Sequence, residues 1–201
     1  MNVHLDGEFA FGLARIVAAW LQVGQEIDDE KIAQLKEEDA KESAFQQALT
    51  FLSYRPRSEA EIRQNLAQHK IGEPYASQVI TRLKDNGMID DTRFANAWVE
   101  NRTELRPRSR RALAYELGQM GVDRQTIDEA LGDLDDAEMA YQAAQKRAGK
   151  FENLEWNDFR LKMTRYLALR GFSYDACSQA VSRVWQEIQD RRDPSGEEGN
   201  L

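Results

Sequence analysis

Arg55-Pro56-Arg57-Ser58 is followed by a run of apolar residues at Ile62, Leu66, Ile71, Ala76, Ile80 and Leu83. The tetrapeptide returns 51 positions later as Arg106-Pro107-Arg108-Ser109, and the apolar run returns with it as Leu113, Leu117, Val122, Ile127, Leu131 and Leu134. A further step of 50 lands on Met163, Leu167, Phe172, Cys177, Val181 and Val184. Any two amphipathic helices match at some offset, but here one offset holds through a helix, across a turn and into a second helix. Self-similarity at a period of roughly 20–50 residues marks stacked copies of one supersecondary unit. The expected fold is therefore mainly α: tandem helical repeats of one supersecondary unit. A small N-terminal β-hairpin and helix precede them.

Each repeat reads as three helices. First helices are expected near 44–53, 91–104 and 136–149. Second helices start from the polar caps Ser58, Ser109 and Asp158. Ser58 and Glu61 have the spacing of a capping box, in which each side chain satisfies a backbone donor that the helix leaves orphaned. Pro56 and Pro107 hold the chain extended just before those caps. Gly72, Gly121 and Gly171 end the second helices, and Pro74, Asp123 and Ser173 open the third. Burying one large apolar side chain contributes about 1.5–3 kcal/mol. Ordering the backbone costs about 1–2 kcal/mol per residue. Six apolar positions cannot offset that, so each unit is expected to lean on its neighbours.

Before the repeats, Val3, Leu5, Phe9 and Phe11 alternate around Asp6-Gly7, a strong hairpin signal. Residues 13–21 read as a helix ended by Gly24. A further helix capped by Asp28 or Asp29 is expected to break near Asp39. The domain reading is an extension over 1–43, repeats over 44–90, 91–134 and 135–190, and a disordered tail over 191–201.

Composition narrows the function. His4, His69 and Cys177 are the only histidines and cysteine in the 201 residues. They cannot build a Cys/His metal site or a disulfide framework, and a lone thiol suits a reducing cytoplasm. The apolar stretch 9–21 is too short to span a bilayer and lacks the basic start of a signal peptide. A soluble cytoplasmic protein is expected, acting as a monomer away from membranes. The net charge is −8, and residues 1–43 carry four Lys/Arg against ten Asp/Glu. Such a chain does not gather nucleic acid through its overall field. Asp90-Asp91 and Asp135-Asp136 are paired acids, best read as helix-start residues favoured by the helix dipole. Trp98, Trp156 and Trp185 read as core or inter-repeat packing. No phosphate loop or nucleophile arrangement is present, so no catalytic residue and no cofactor is expected.

The arginines are the candidate binding residues. Arg102, Arg106, Arg108, Arg110 and Arg111 fall within ten positions, opposed only by Glu104, and Arg55 and Arg57 repeat the pattern one unit earlier. The planar donor fork of arginine suits carboxylates and phosphates. The same residues would equally serve as structural ion pairs or cap helix-end carbonyls.

Longer runs carry a resemblance. Residues 48–62, from Ala48-Leu49-Thr50-Phe51-Leu52-Ser53-Tyr54 through Arg55-Pro56-Arg57-Ser58 to Glu59-Ala60-Glu61-Ile62, resemble the opening repeat of the RecX regulatory proteins. Gly87-Met88-Ile89-Asp90-Asp91-Thr92-Arg93-Phe94-Ala95, Glu116-Leu117-Gly118-Gln119-Met120-Gly121-Val122 and Arg170-Gly171-Phe172-Ser173-Tyr174 are similar to later signatures of that family. The resemblance covers about 44–188, and the N-terminal hairpin and helix resemble an extension found on some members. It implies three tandem three-helix, helix-turn-helix-like repeats in an elongated curved array, in a bacterial protein that binds the RecA recombinase and its filament on single-stranded DNA. Such proteins modulate RecA, usually by inhibition, in DNA repair and the SOS response, with no reaction of their own. A helical-repeat protein acting directly on nucleic acid is the rival reading. The acidic balance limits that to weak direct DNA contact, because a primary DNA binder carries a basic footprint.

Overall fold

The computed structural model describes residues 1–192. These form two compact units, Met1–Asp91 and a second that begins at Thr92.

The first unit opens with the hairpin, β1 Asn2–Leu5 and β2 Glu8–Gly12. Asp6 and Gly7 turn it at φ 50° and 89°, the left-handed pair that a two-residue hairpin turn requires. The register pairs Val3 with Phe11 but His4 with Phe9, with an irregularity between them. Ala10 is therefore an extra residue, which reverses the side-chain parity of β2. Val3, Leu5 and Phe11 are half-buried as the alternation predicts, whereas Phe9 is exposed.

The next two elements also differ from the sequence reading. The helix expected over 13–21 is the single turn α1, Arg15–Ala18. The break expected near Asp39 does not occur. Instead α2 runs unbroken for 26 residues, Asp29–Tyr54, capped by Asp28, whose side chain accepts from Lys31 N at 2.7 Å. Asp39 is polar for a different reason: its carboxylate accepts the Ala14 backbone N–H at 2.5 Å and ties the hairpin segment to α2. Leu13, Ala18 and Leu35 form a small core there with Val3, Phe11, Val17 and Leu21. That core is how a hairpin too small to stand alone is held.

The C-terminal half of α2 is the first helix of repeat 1. Ala44, Phe45 and Ala48 pack on α3, Glu59–Gln68, and α4, Glu73–Asp85. The Ser58–Glu61 capping box forms, with both bonds at 3.2 Å. Glu42 is buried on this face. Burial pushes its carboxyl up, but hydrogen bonds from Arg82 and Gln46 outweigh that and hold it below the ordinary carboxylate value.

The second unit holds repeats 2 and 3. Repeat 2 is α5 Asp91–Leu105, α6 Arg110–Gln119 and α7 Arg124–Leu131. Repeat 3 is α8 Asp136–Ala148, α9 Trp156–Ala168 and α10 Tyr174–Arg192. Of the eighteen repeated apolar positions, all but Ile71 and Leu134 are buried. Leu134 is half-buried because α7 stops at Leu131, with Gly132 at φ 44° after it. Asp158 is not a cap: α9 starts a turn early, with Glu155 at its N-cap and no side-chain bond there. Trp156 fills the added turn and packs on Trp185, ring centroids 5.3 Å apart. Cys177 is a core residue, and burial pushes its thiol up. Arg191 and Arg192 close α10, and the rest of the expected tail lies outside the described residues.

The start of α6 is completed from repeat 3. Ser109 Oγ accepts from Ala112 N at 3.1 Å, Ser109 N donates to Arg170 O at 3.1 Å, and Arg110 N donates to Asp136 Oδ1 at 2.6 Å. Gly171, at φ 90°, lies so close that a Cβ on it would stand 2.5 Å from Ser109 Oγ. In the first unit, Glu59 N likewise donates to Asp91 Oδ1 at 2.8 Å. Asp91 and Asp136 thus do more than begin a helix. Each supplies an acceptor to orphan donors at the start of the preceding second helix.

Candidate functional site

The candidate arginines cluster around the turns between first and second helices: Arg55, Arg57, Arg106 and Arg108 in the turns, Arg102 in the last turn of α5, and Arg110 and Arg111 at the start of α6. An acid in each repeat organises them. In repeat 1 that acid is Glu61, the capping-box residue. Arg55 reaches it with two bonds, at 2.5 and 3.2 Å, and also donates to Pro56 O at 2.9 Å. Arg57 reaches Glu61 at 3.3 Å and lies over Phe51, its guanidinium carbon 3.8 Å from the ring centroid.

In repeat 2 the acid is Glu116, in the middle of α6. Arg102 Nε donates to Glu116 Oε2 at 3.0 Å, Trp98 Nε1 donates to the same oxygen at 2.9 Å, and Arg108 pairs with Oε1 at 2.7 Å. Arg102 also stacks on Trp98 at 4.4 Å. Arg110 turns the other way: its Nη1 donates to Leu131 O and Gly132 O at the end of α7. Arg106 and Arg111 are exposed and make no side-chain hydrogen bond or ion pair among the described residues.

The seven arginines therefore divide. Arg55, Arg57, Arg102, Arg108 and Arg110 hold turns and helix ends in place, and Arg106 and Arg111 have free donor forks. The tetrapeptide alone could not reveal this, because the acids lie on the following helix. The signal that was there is Glu116, about two helical turns beyond Ser109, on the face of α6 that returns to the Arg-Pro-Arg turn.

A second feature lies on the far side of each second helix, where it meets the third. Between α3 and α4, Arg63 spans the space. Its Nε and Nη2 bond Glu59 Oε1 at 3.1 and 3.0 Å, its Nη1 bonds Ser77 Oγ at 3.2 Å, and it pairs with Glu73. Lys84 joins Glu59 at 2.5 Å. Burial raises the Glu59 carboxyl, but Lys84 and Arg63 outweigh that and hold it below its ordinary value. Between α6 and α7 the matching space is an open groove of about 670 Å³, bordered by Arg110, Arg111, Ala114 and Arg124.

Among the described residues, no three His, Cys, Asp or Glu side chains converge on a point that could hold a metal ion. No described helix is long and apolar enough to cross a membrane.

Successive three-helix units in one apolar register, with paired arginines at the turns, define a helix-turn-helix-like repeat protein. Family models place it more closely: residues 44–83, 90–131 and 134–181 match the first, second and third three-helix domains of RecX. The chain belongs to the RecX family. It is 30% identical to the regulatory protein RecX of Leuconostoc mesenteroides over 94% of this chain and 73% of that one. The regulatory protein RecX of Bacillus subtilis is 31% identical, over 92% and 72%. A crystal structure of regulatory protein RecX superimposes with a TM-score of 0.65 at 27% identity, over 94% of this chain and 92% of that one. RecX from Lactobacillus salivarius gives a TM-score of 0.60 at 25% identity, over 76% and 98%.

Proposed function

We propose that this chain regulates the RecA recombinase. It binds RecA assembled on single-stranded DNA and restrains the filament's ATP hydrolysis, strand exchange and coprotease action. It does so in the cytoplasm, as a monomer, with no reaction of its own. The observation that carries this reading is the match of all three helical units, in order, to the RecX domains. Within it, Arg106 and Arg111 make the contacts to acidic groups of the recombinase or to phosphates of its strand. Arg55, Arg57, Arg102 and Arg108 hold the surface that presents them. A direct DNA-binding role is weakened by Glu61 and Glu116, which engage four of the seven guanidinium groups.

The test is inhibition of RecA-dependent ATP hydrolysis on single-stranded DNA, followed together with filament length. Wild-type protein is expected to reduce both. Replacing Arg106 and Arg111 by alanine is expected to weaken inhibition at least about tenfold, since charge-assisted bonds contribute about 1.5–3 kcal/mol each. Folding stability is expected to fall by less than about 1 kcal/mol, as for other exposed charges. Wild-type protein without effect on RecA would end the reading, and a fully active double variant would end the assignment of these two arginines.

A further inference from the structure

The groove between α6 and α7 is the groove between α3 and α4 with its charges exchanged and its filling removed. The internal repeat supplies the comparison. In repeat 1, Glu59 at the first position of α3 and Glu73 at the first position of α4 hold the guanidinium of Arg63 between them, with Ser77 as a further partner. A step of 51 puts Arg110 and Arg124 at the two glutamate positions and Ala114 at the position of Arg63. The helices themselves match at this offset, since α3 and α6 start at Glu59 and Arg110, and α4 and α7 at Glu73 and Arg124. Repeat 1 thus surrounds a cation with carboxylates. Repeat 2 leaves the space open and borders it with guanidinium groups.

Two acids, Asp128 and Asp136, also line the groove and leave its three arginines in excess. Asp136 is engaged by the backbone N–H of Arg110. Asp128 pairs with Arg124 at 3.0 Å, but the two side chains are 52% and 88% exposed, and exposed pairs of this spacing are weak and exchange readily. Arg111 contributes a free fork. Repeat 3 does not share the arrangement: the same slots hold Arg160, Thr164 and Tyr174, which leaves one arginine of the two.

We propose that the α6–α7 groove receives an acidic side chain of a protein partner, held by Arg110, Arg111 and Arg124 in the place that Arg63 fills in repeat 1. This rests on the reading that the chain acts by binding the recombinase, and it names where and through what chemistry. A carboxylate is favoured over a nucleic-acid phosphate for three reasons. The chain's own version of the contact is an arginine–carboxylate pair of matching geometry. Between the arginines the groove is walled by Ala114, Val122 and Ile127, which suit a side chain with an apolar neighbour, and the net charge of −8 opposes gathering a polyanion.

The test refills the groove with the chain's own plug. The full-length triple variant Arg110→Glu, Ala114→Arg, Arg124→Glu transplants the repeat 1 set. Binding is read by fluorescence anisotropy of the labelled protein titrated with RecA assembled on a single-stranded oligonucleotide. It is expected to weaken at least about tenfold. Because Arg110 also caps α7, the exposed pair Arg111→Glu, Arg124→Glu is measured beside it, with circular dichroism melts for both, and the same loss is expected with an unshifted melt. If wild-type protein binds the filament and the folded variants bind equally well, the groove assignment is overturned and the regulatory reading stands. If wild-type protein does not bind, both fall. If the variants lose binding to the free oligonucleotide in the same proportion as to the filament, the groove is a nucleic-acid site and the proposal is overturned.

Discussion

Replacing Gly171 by alanine tests how repeats 2 and 3 interlock. Two independent penalties arise. At φ 90° an L-residue is in the left-handed region, which costs about 1–2 kcal/mol. The added Cβ would also stand 2.5 Å from Ser109 Oγ and 2.9 Å from Ala112 Cβ. Neither neighbour is the free end of a long side chain, so the start of α6 has to shift. Overpacking of this kind costs about 1–3 kcal/mol, and strain on the Ser109 N–H···O Arg170 bond adds about 0.5–1.5 kcal/mol. A loss of about 3–5 kcal/mol is expected in urea unfolding followed by circular dichroism. Gly87 is the control: its φ is 64° and nothing lies within 4 Å of its added Cβ, so Gly87→Ala should show the conformational part alone. The part of the clash that comes from Ser109 should be relieved by Ser109→Gly, a change that costs a cap only a few tenths of a kcal/mol, while the Ala112 Cβ contact stays. In that background Gly171→Ala should lose at least about 1 kcal/mol less, the coupling expected of residues in contact. Equal losses for Gly171→Ala and Gly87→Ala, with no coupling to position 109, would refute the interlock.

Leu66, Leu117 and Leu167 are each fully buried in the same slot, so alanine at any of them should cost about 2–5 kcal/mol; unchanged thermal melts would show that the repeat register is wrong. Cys177 is 1% exposed and its thiol is pushed up by burial, so thiol labelling of the native protein should be far slower than that of the unfolded chain. The Glu59 carboxyl is held below its ordinary value by Lys84 and Arg63, against its burial. Its contribution should be complete above the ordinary carboxylate pKa and lost as pH falls through the lowered folded-state value. Acid melts of Glu59→Gln should accordingly be flatter over that window than those of the wild type, and a superimposable pH profile would remove Glu59 from the account.

The core was legible because its signal is periodic. Ile62, Leu113 and Met163 announce one buried slot three times, and tertiary context has little room to override a pattern repeated with that fidelity. The errors fell where one residue decides a local geometry. Ala10 adds a residue to β2 and turns Phe9 outward, which alternation alone does not reveal. Asp39 looked like a helix breaker because a mid-helix aspartate competes for backbone donors, yet its acceptor is spent on Ala14 of another element. Trp156 extends α9 by packing on Trp185, a partner nearly thirty residues away in sequence. The candidate site was half legible for the same reason. The arginines stand out by their local density, whereas Glu61 and Glu116, which decide the fate of four of them, act across a turn.

The unbroken α2 gives the N-terminal segment a fixed phase. Asp39 anchors the hairpin to the same rod that carries Ala44, Phe45 and Ala48 into the core of repeat 1. Each residue of an α-helix advances about 1.5 Å and turns about 100°. One residue inserted between Asp39 and Ala44 would swing the hairpin roughly a quarter turn about the axis, to a different side of the repeat. Seven inserted residues would restore its bearing to within about 20° while carrying it about 10 Å further out. Length changes in this helix therefore act as rotations first and as extensions second. Any partner that touches the hairpin and repeat 1 together would sense a single-residue deletion here as a change of direction, with every contacting side chain still present.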